Sequence, residues 1–132
     1  MDKQHSIMII EDEHLLLQAI CKKLEKHGFN CISCTNANQA VDYLESLPTL
    51  PDAIWLDYYL KEGMNGLEFM SAIKNNPKWA HIPVLVVSNS ASPDKVHAML
   101  GLGAKEYFLK AEKRLDDIIM EIKKYIAEPT AN

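Results

Sequence analysis

The chain has few cysteines, little excess charge and no long apolar run, and each shortage closes off a class of protein. No stretch of its 132 residues approaches the roughly 18 consecutive apolar positions of a membrane span, and the start, MDKQHS, lacks a secretory pattern. A soluble, cytoplasmic protein without membrane insertion is expected. The formal net charge of −4 offers no basic footprint for a nucleic-acid backbone, so no direct nucleic-acid partner is expected. Three cysteines, Cys21, Cys31 and Cys34, are an odd number in a chain long enough to build a core, which argues against a disulfide framework. Cys31 and Cys34 share a C-x-x-C spacing, but they lie in the strand-like FNCISCT, where positions three apart face opposite sides. No second Cys or His pair stands ready to complete a zinc site, and His5, His14, His27, His81 and His97 are scattered. The cysteines are read as packing residues.

What is present is an ordinary globular composition, 48% hydrophobic and 24% charged, at the length of one domain. Folding at this size buries roughly two-thirds of the unfolded surface, enough for a core without staples. Short apolar runs at 6–10 (SIMII), 30–35 (NCISCT), 53–56 (AIWL), 84–87 (VLVV) and 106–109 (EYFL) read as strands. Helical spacing fills the gaps between them. The first helix, 14–27, carries Leu16, Ala19, Ile20, Leu24 and His27 on one face, with Gly28 as its stop. Asn36 caps a second, with Gln39 three residues on, running through Leu47. A third covers Gly66 to Asn75, ended before Pro77. Ser92, Pro93 and Asp94 open a fourth. Leu115, Ile118, Ile119, Ile122 and Ile126 stripe the last. Five strand–helix repeats imply a parallel sheet covered on both faces, a single three-layer α/β domain. Trp55 and Trp79 are read as core and loop packing.

The polar residues fall at one kind of place. Glu11 and Asp12 follow the first strand, Asp57 the third, Ser88 the fourth and Lys110 the fifth. In open α/β sheets ligands bind beyond the carboxyl ends of the strands. Taken alone, Asp12 reads equally well as a helix cap, Ser88 as a turn cap and Lys110 as a solvated surface residue. Asp57 has apolar flanks and resists such a reading, because a carboxylate beside a buried strand is costly unless paired. Together the carboxylates make a hard, oxygen-only site suited to Mg²⁺, with Mn²⁺ as an alternative. A lysine and a hydroxyl beside such a metal suit a tetrahedral phosphoryl group, and an aspartate can itself attack phosphorus.

These motifs, IIEDE, IWLDYYL, VLVVSNS and GAKEYFLK, in this order and spacing, resemble the receiver domain of two-component response regulators, the CheY-like family. The likeness covers nearly the whole chain. It implies a doubly wound (βα)5, flavodoxin-like fold with a five-stranded parallel sheet of order 2-1-3-4-5. It implies that Asp57 accepts a phosphoryl group from a phosphohistidine of a sensor histidine kinase or histidine phosphotransfer protein, the chain itself performing only self-phosphorylation and self-dephosphorylation. Mg²⁺ would be held by Asp12, Asp57 and the backbone carbonyl of Tyr59, with Glu11 acting through water. Lys110 would pair with the phosphoryl oxygens, while Ser88 and Tyr107 would act as the switch pair. The surface of the fourth helix, fifth strand and fifth helix would then change toward a downstream protein, and would be the site of any weak homodimer of an otherwise monomeric chain. A bacterial phosphorelay is the setting the likeness suggests.

Several positions depart from the family pattern. Ala111 stands where a proline commonly follows the strand-five lysine; a cis bond to a non-proline costs about 3 kcal/mol, so a trans bond or a strained loop is expected. The loop YYLKEGMNG lacks the usual proline and is one residue longer, with Lys61 and Glu62 extending it. Asn89 follows Ser88 where a small residue is favoured, and with Tyr59 it would restrict access to the acceptor. Beyond the fifth strand the last helix takes most of what remains, so a receiver over 1–132, with a core of about 6–127 and no output domain, is expected. Two other readings compete. One is an aspartate-nucleophile phosphatase of the haloacid-dehalogenase type, which usually carries a second aspartate two residues after the nucleophile, where this chain has Tyr59. The other is a degenerate receiver that binds partners without phosphorylation.

Overall fold

The computed structural model describes residues 4–126. Ten elements alternate: β1 (Ser6–Ile10), α1 (His14–Lys26), β2 (Asn30–Cys34), α2 (Ala37–Ser46), β3 (Ala53–Asp57), α3 (Gly66–Asn75), β4 (Val84–Ser88), α4 (Pro93–Gly101), β5 (Glu106–Leu109) and α5 (Leu115–Ile126). All five strands pair in parallel, in the order β2-β1-β3-β4-β5. The expected core limit at residue 127 falls outside the described residues. Among these, no helix is long and apolar enough to cross a membrane.

Strand alternation sorts the core into two halves. Ile7, Ile9, Trp55, Leu85 and Val87 point to one face and pack with Leu17, Ile20 and Leu24 of α1 and Ile118, Ile119 and Ile122 of α5. Met8, Ile10, Ile54, Leu56, Val84 and Val86 point to the other, under Ala40 and Leu44 of α2, Phe69 and Ile73 of α3 and Met99 of α4. Because both faces are covered, the inner strands are apolar throughout, as buried parallel strands must be. Trp55 and Trp79 are both buried, in keeping with their reading as packing residues.

Two caps are those the sequence reading gave: Asn36 accepts from the Gln39 backbone and Ser92 from Lys95; Asn65 with Glu68 adds a full capping box at α3. Beyond one-residue shifts at the ends of α1, β2 and α2, three details differ from the sequence reading. β3 and β4 each run one residue further, so Asp57 and Ser88 end their strands instead of following them. The buried face of α1 is Leu17, Ile20 and Leu24. Ala19 is exposed, and Leu16 and His27 are only half-buried. Three consecutive leucines offer two possible phases, and the one adopted leaves Leu15 76% exposed.

The third difference is covalent. Cys21 of α1 is disulfide-bonded to Cys31 of β2, with their Cα atoms 5.5 Å apart. An odd count excludes full pairing but not a single bond, and the packing of α1 beside β2 brings these two within bridging distance. Cys31 and Cys34 do face opposite halves of the core, as the strand spacing predicts. Cys34 stays free and buried, and burial pushes its thiol up to about 12, which leaves it unreactive. In a reducing compartment the Cys21–Cys31 bond would be held open as thiols. Closing a loop this short stabilises by roughly 3 kcal/mol on the chain-entropy account. Urea unfolding with and without dithiothreitol should therefore show a lower midpoint on reduction, and a Cys31→Ala variant should show none; identical wild-type midpoints would exclude the bond in solution.

Candidate functional site: an acidic cluster at the strand ends

Register places the site. Ile10 lies opposite Leu56, which brings Glu11 level with Asp57 at the carboxyl edge of the sheet. Glu11 continues the row of Ile7 and Ile9, Asp57 that of Ala53 and Trp55, and Lys110 that of Phe108. Alternation therefore delivers these three to the α1–α5 side. Ser88 and Tyr107 have the opposite parity and stand toward α4.

Glu11, Asp12 and Asp57 each bring a carboxylate oxygen within 4.8 Å of the others. Glu11 and Asp57 are 1% and 5% exposed. The positive charge among them comes from Lys110, whose Nζ is 3.0 Å from Glu11 Oε1 and 3.5 Å from Asp57 Oδ2. The sequence reading gave Glu11 a part through water only; the structure also makes it the nearer partner of this lysine. Backbone amides satisfy other oxygens. Glu13 N–H donates to Glu11 Oε2 at 3.1 Å, Tyr59 N–H to Asp57 Oδ1 at 3.2 Å, and Lys61 N–H to Asp12 Oδ2 at 2.9 Å.

Three carboxylates against one ammonium leave the cluster short of positive charge. Burial, then the neighbouring Glu11 carboxylate, pushes Asp57 up to about 8 despite the opposing pull of Lys110. Burial works against the charge on Lys110, but Asp57 and Glu11 outweigh it and hold the ammonium above its ordinary value. Such a donor set, all oxygen and rich in negative charge, fits a hard divalent cation. Asp12 and Asp57 would be its side-chain ligands, with the Glu11 carboxylate beside them.

The loop after Asp57 is anchored at both its start and its turn. Asp12 holds Lys61, and Asn38 Oδ1 accepts from Met64 N–H at 2.9 Å. Gly63 turns the chain at φ +73, where a Cβ would come within 2.3 Å of Asn38 Oδ1. No cis peptide bond occurs among the described residues, so the link to Ala111 is trans. Asn89 is exposed. Sequence reasoning passed over Ser90, which sits at the middle of the remaining polar contacts. Ser90 N–H donates to Ser88 Oγ at 3.2 Å, and the Tyr107 hydroxyl donates to the Ser90 carbonyl at 2.7 Å. It also missed Lys95. The available signal was a lysine in the first turn of α4, where the helix dipole disfavours positive charge.

The response regulator receiver domain model matches residues 7–123. The chain belongs to this family. The Two-component response regulator ORR8 of Oryza sativa subsp. indica is 30% identical over 120 residues, covering 91% of this chain and 96% of that one. A histidine kinase of Formosa agariphila is 32% identical over 109 residues, 83% of this chain but 8% of its own length. A solved response regulator from Thermotoga maritima superposes with a TM-score of 0.80 at 26% identity, covering 96% of this receiver and all of that chain. Relatives from both plants and bacteria leave the expected bacterial setting undecided. The flavodoxin-like fold of order 2-1-3-4-5 expected from the motifs is the observed one.

Because Asp57 binds its proton more tightly folded than unfolded, its contribution to stability is full below about 4 and is lost as pH climbs through about 8. Metal-free receiver should lose thermal stability between pH 5 and 8.5, and Asp57→Asn should flatten that slope. Superimposable pH profiles for the two proteins would contradict the placement of Asp57 in this cluster.

Proposed function

We propose that this receiver is a phosphorylation-dependent signalling switch in which Asp57 takes a phosphoryl group from a phosphohistidine of a sensor histidine kinase or histidine phosphotransfer protein. The observation that carries this reading is the joint placement of Asp57, Glu11, Asp12 and Lys110 at the carboxyl ends of β1, β3 and β5. A single buried aspartate would be a structural curiosity; an aspartate with a cation on one side and a divalent-ion cradle on the other is equipped for anionic chemistry.

An ionised Asp57 oxygen attacks phosphorus, a P–O bond forms as the P–N bond breaks, and the imidazole leaves with a proton from solvent. Bound Mg²⁺ would offset the charge that the carboxylates and the phosphoryl oxygens bring together. Asp12, Asp57 and the Tyr59 carbonyl would hold it, with Glu11 through water. Lys110 draws one phosphoryl oxygen and lowers the proton affinity that burial and Glu11 give Asp57. Ser88 donates its hydroxyl to another. Tyr107 then follows through Ser90, whose amide and carbonyl already join the two. The readout face is α4, β5 and α5, where Leu100 and Met120 are 44% and 51% exposed and available to a protein partner. Its chemistry is confined to gaining and losing its own phosphoryl group.

Acetyl phosphate with Mg²⁺ should add one phosphoryl mass to the wild type and none to Asp57→Asn, as read by intact mass spectrometry. An unlabelled wild type, or equal labelling of the variant, would sink the proposal, and rapid multiple turnover of an unrelated phosphoester would favour the phosphatase reading. Separately, millimolar Mg²⁺ should raise the melting temperature of the wild type, with a larger effect at pH 8 than at pH 5.5. A pH-independent or absent effect would count against the acidic cradle.

A further inference from the structure

Two residues back along β3 from Asp57, on the α1–α5 side of the sheet, Trp55 forms part of the wall of a cavity. Leu16 and Ile20 of α1, Val87 of β4, and Leu115 and Ile118 of α5 make the rest of its apolar wall. Its volume is about 360 Å³. Protein interiors leave few voids larger than a water molecule, and ligand pockets begin at about 300 Å³. Taking about 30 Å³ for each non-hydrogen atom, as for liquid water, it has room for roughly a dozen.

The lining turns cationic at the loop between β5 and α5. Lys110, Lys113 and Arg114 all line the cavity there, the last two exposed. The Lys110 ammonium is engaged by Glu11 and Asp57. Lys113 Nζ lies 5.6 Å from the centre of the Phe108 ring, and neither Lys113 nor Arg114 pairs with a carboxylate among the described residues. Two exposed cations on a loop are ordinarily just solvated. Here they stand at the edge of an apolar hollow that no carboxylate lines, in a chain of net charge −4. Apolar walls admit the body of a ligand, and a few charged groups fix its orientation. The wall also holds a spare donor: Trp55 is 1% exposed, and its indole N–H has no acceptor among the described residues.

We propose that this cavity binds a small amphipathic carboxylate, its apolar body between α1 and α5 and its carboxylate at Lys113 and Arg114. An ammonium ligand of the same length would meet the same walls with the wrong charge. Acetate would meet the charges without filling the walls. Rejection of both is the signature of the site. It uses neither the Asp57 carboxylate nor a divalent ion, so it stands whether or not Asp57 accepts a phosphoryl group.

The test is a titration of the full chain with octanoate, followed in proton–nitrogen correlation spectra through the indole N–H signals. With about ten non-hydrogen atoms, octanoate should shift the Trp55 signal saturably, with a Kd on the order of 0.1–1 mM. Trp79, in the other half of the core, should stay in place. Octylammonium and acetate should each bind at least about tenfold more weakly. A double variant carrying Lys113→Gln and Arg114→Gln should bind octanoate about three- to tenfold more weakly, with the melting temperature of the wild type. Asp57→Asn should bind it within about threefold of wild type, since the carboxylate lies outside the site. The proposal is overturned if no saturable Trp55 shift occurs, if octylammonium binds as well as octanoate, or if the double variant binds as the wild type does. Loss of binding in Asp57→Asn would overturn it by placing the ligand at the acceptor. A Trp55 shift produced by raising the protein concentration alone would overturn it too, by assigning the cavity to a second copy of the chain.

Discussion

Two carboxylates buried side by side at the edge of a parallel sheet are the constraint on which the rest of this receiver turns. Glu11 and Asp57 are almost fully withdrawn from water and level with each other, and burial together with the Glu11 carboxylate raises the proton affinity of Asp57. Nothing in the packing of the sheet requires them. The fold supplies one ammonium, from Lys110, and three backbone amides, from Glu13, Tyr59 and Lys61. That set satisfies oxygens but does not neutralise the cluster. An arrangement that leaves anionic charge uncompensated in the resting protein is a cost to stability borne for binding, the usual character of functional sites.

Strand parity then determines what that charge can act on. The same alternation that sends Glu11, Asp57 and Lys110 toward α1 and α5 sends Ser88 and Tyr107 toward α4. The reacting groups and the proposed switch groups therefore belong to different layers of the protein. They communicate only around the strand ends, through the loops after β3 and β4. Ser90 lies on that route, and its contacts to Ser88, Tyr59, Lys95 and Tyr107 make a short, continuous path from the site to α4. On the proposed reading, a new dianion at Asp57 would act locally, and a packed interface with two arrangements would carry the result outward.

The pattern of strands and helices was legible because each apolar run was short, bounded by turn residues and followed by helical spacing. The site was legible for a related reason: polar residues at four strand ends are improbable as a packing outcome. The misreadings share a different cause. The phase of α1 depended on which of Leu15, Leu16 and Leu17 the sheet accepted, and local periodicity does not contain that information. The Cys21–Cys31 bond depended on which strand lies beside α1, a property of topology and not of the spacing between cysteines. Ser90 and Lys95 carried only faint local signals, because their meaning lies in contacts with residues 31 and 36 positions away.

The chemistry that the cluster can support is narrowed by what stands beside Asp57. A phosphatase acting on ordinary esters must protonate a poor leaving group, and the second aspartate of such enzymes does that work. Here the corresponding side chain is Tyr59, whose hydroxyl is committed to Ser90 and Lys95 instead of to a substrate. On the proposed reading this restricts Asp57 to donors whose leaving group departs readily, as an imidazole does, and it leaves the acyl phosphate without a dedicated acid or base to hydrolyse it. The same substitution that weakens the enzyme reading therefore favours a phosphorylated state that persists, and persistence is what a switch requires.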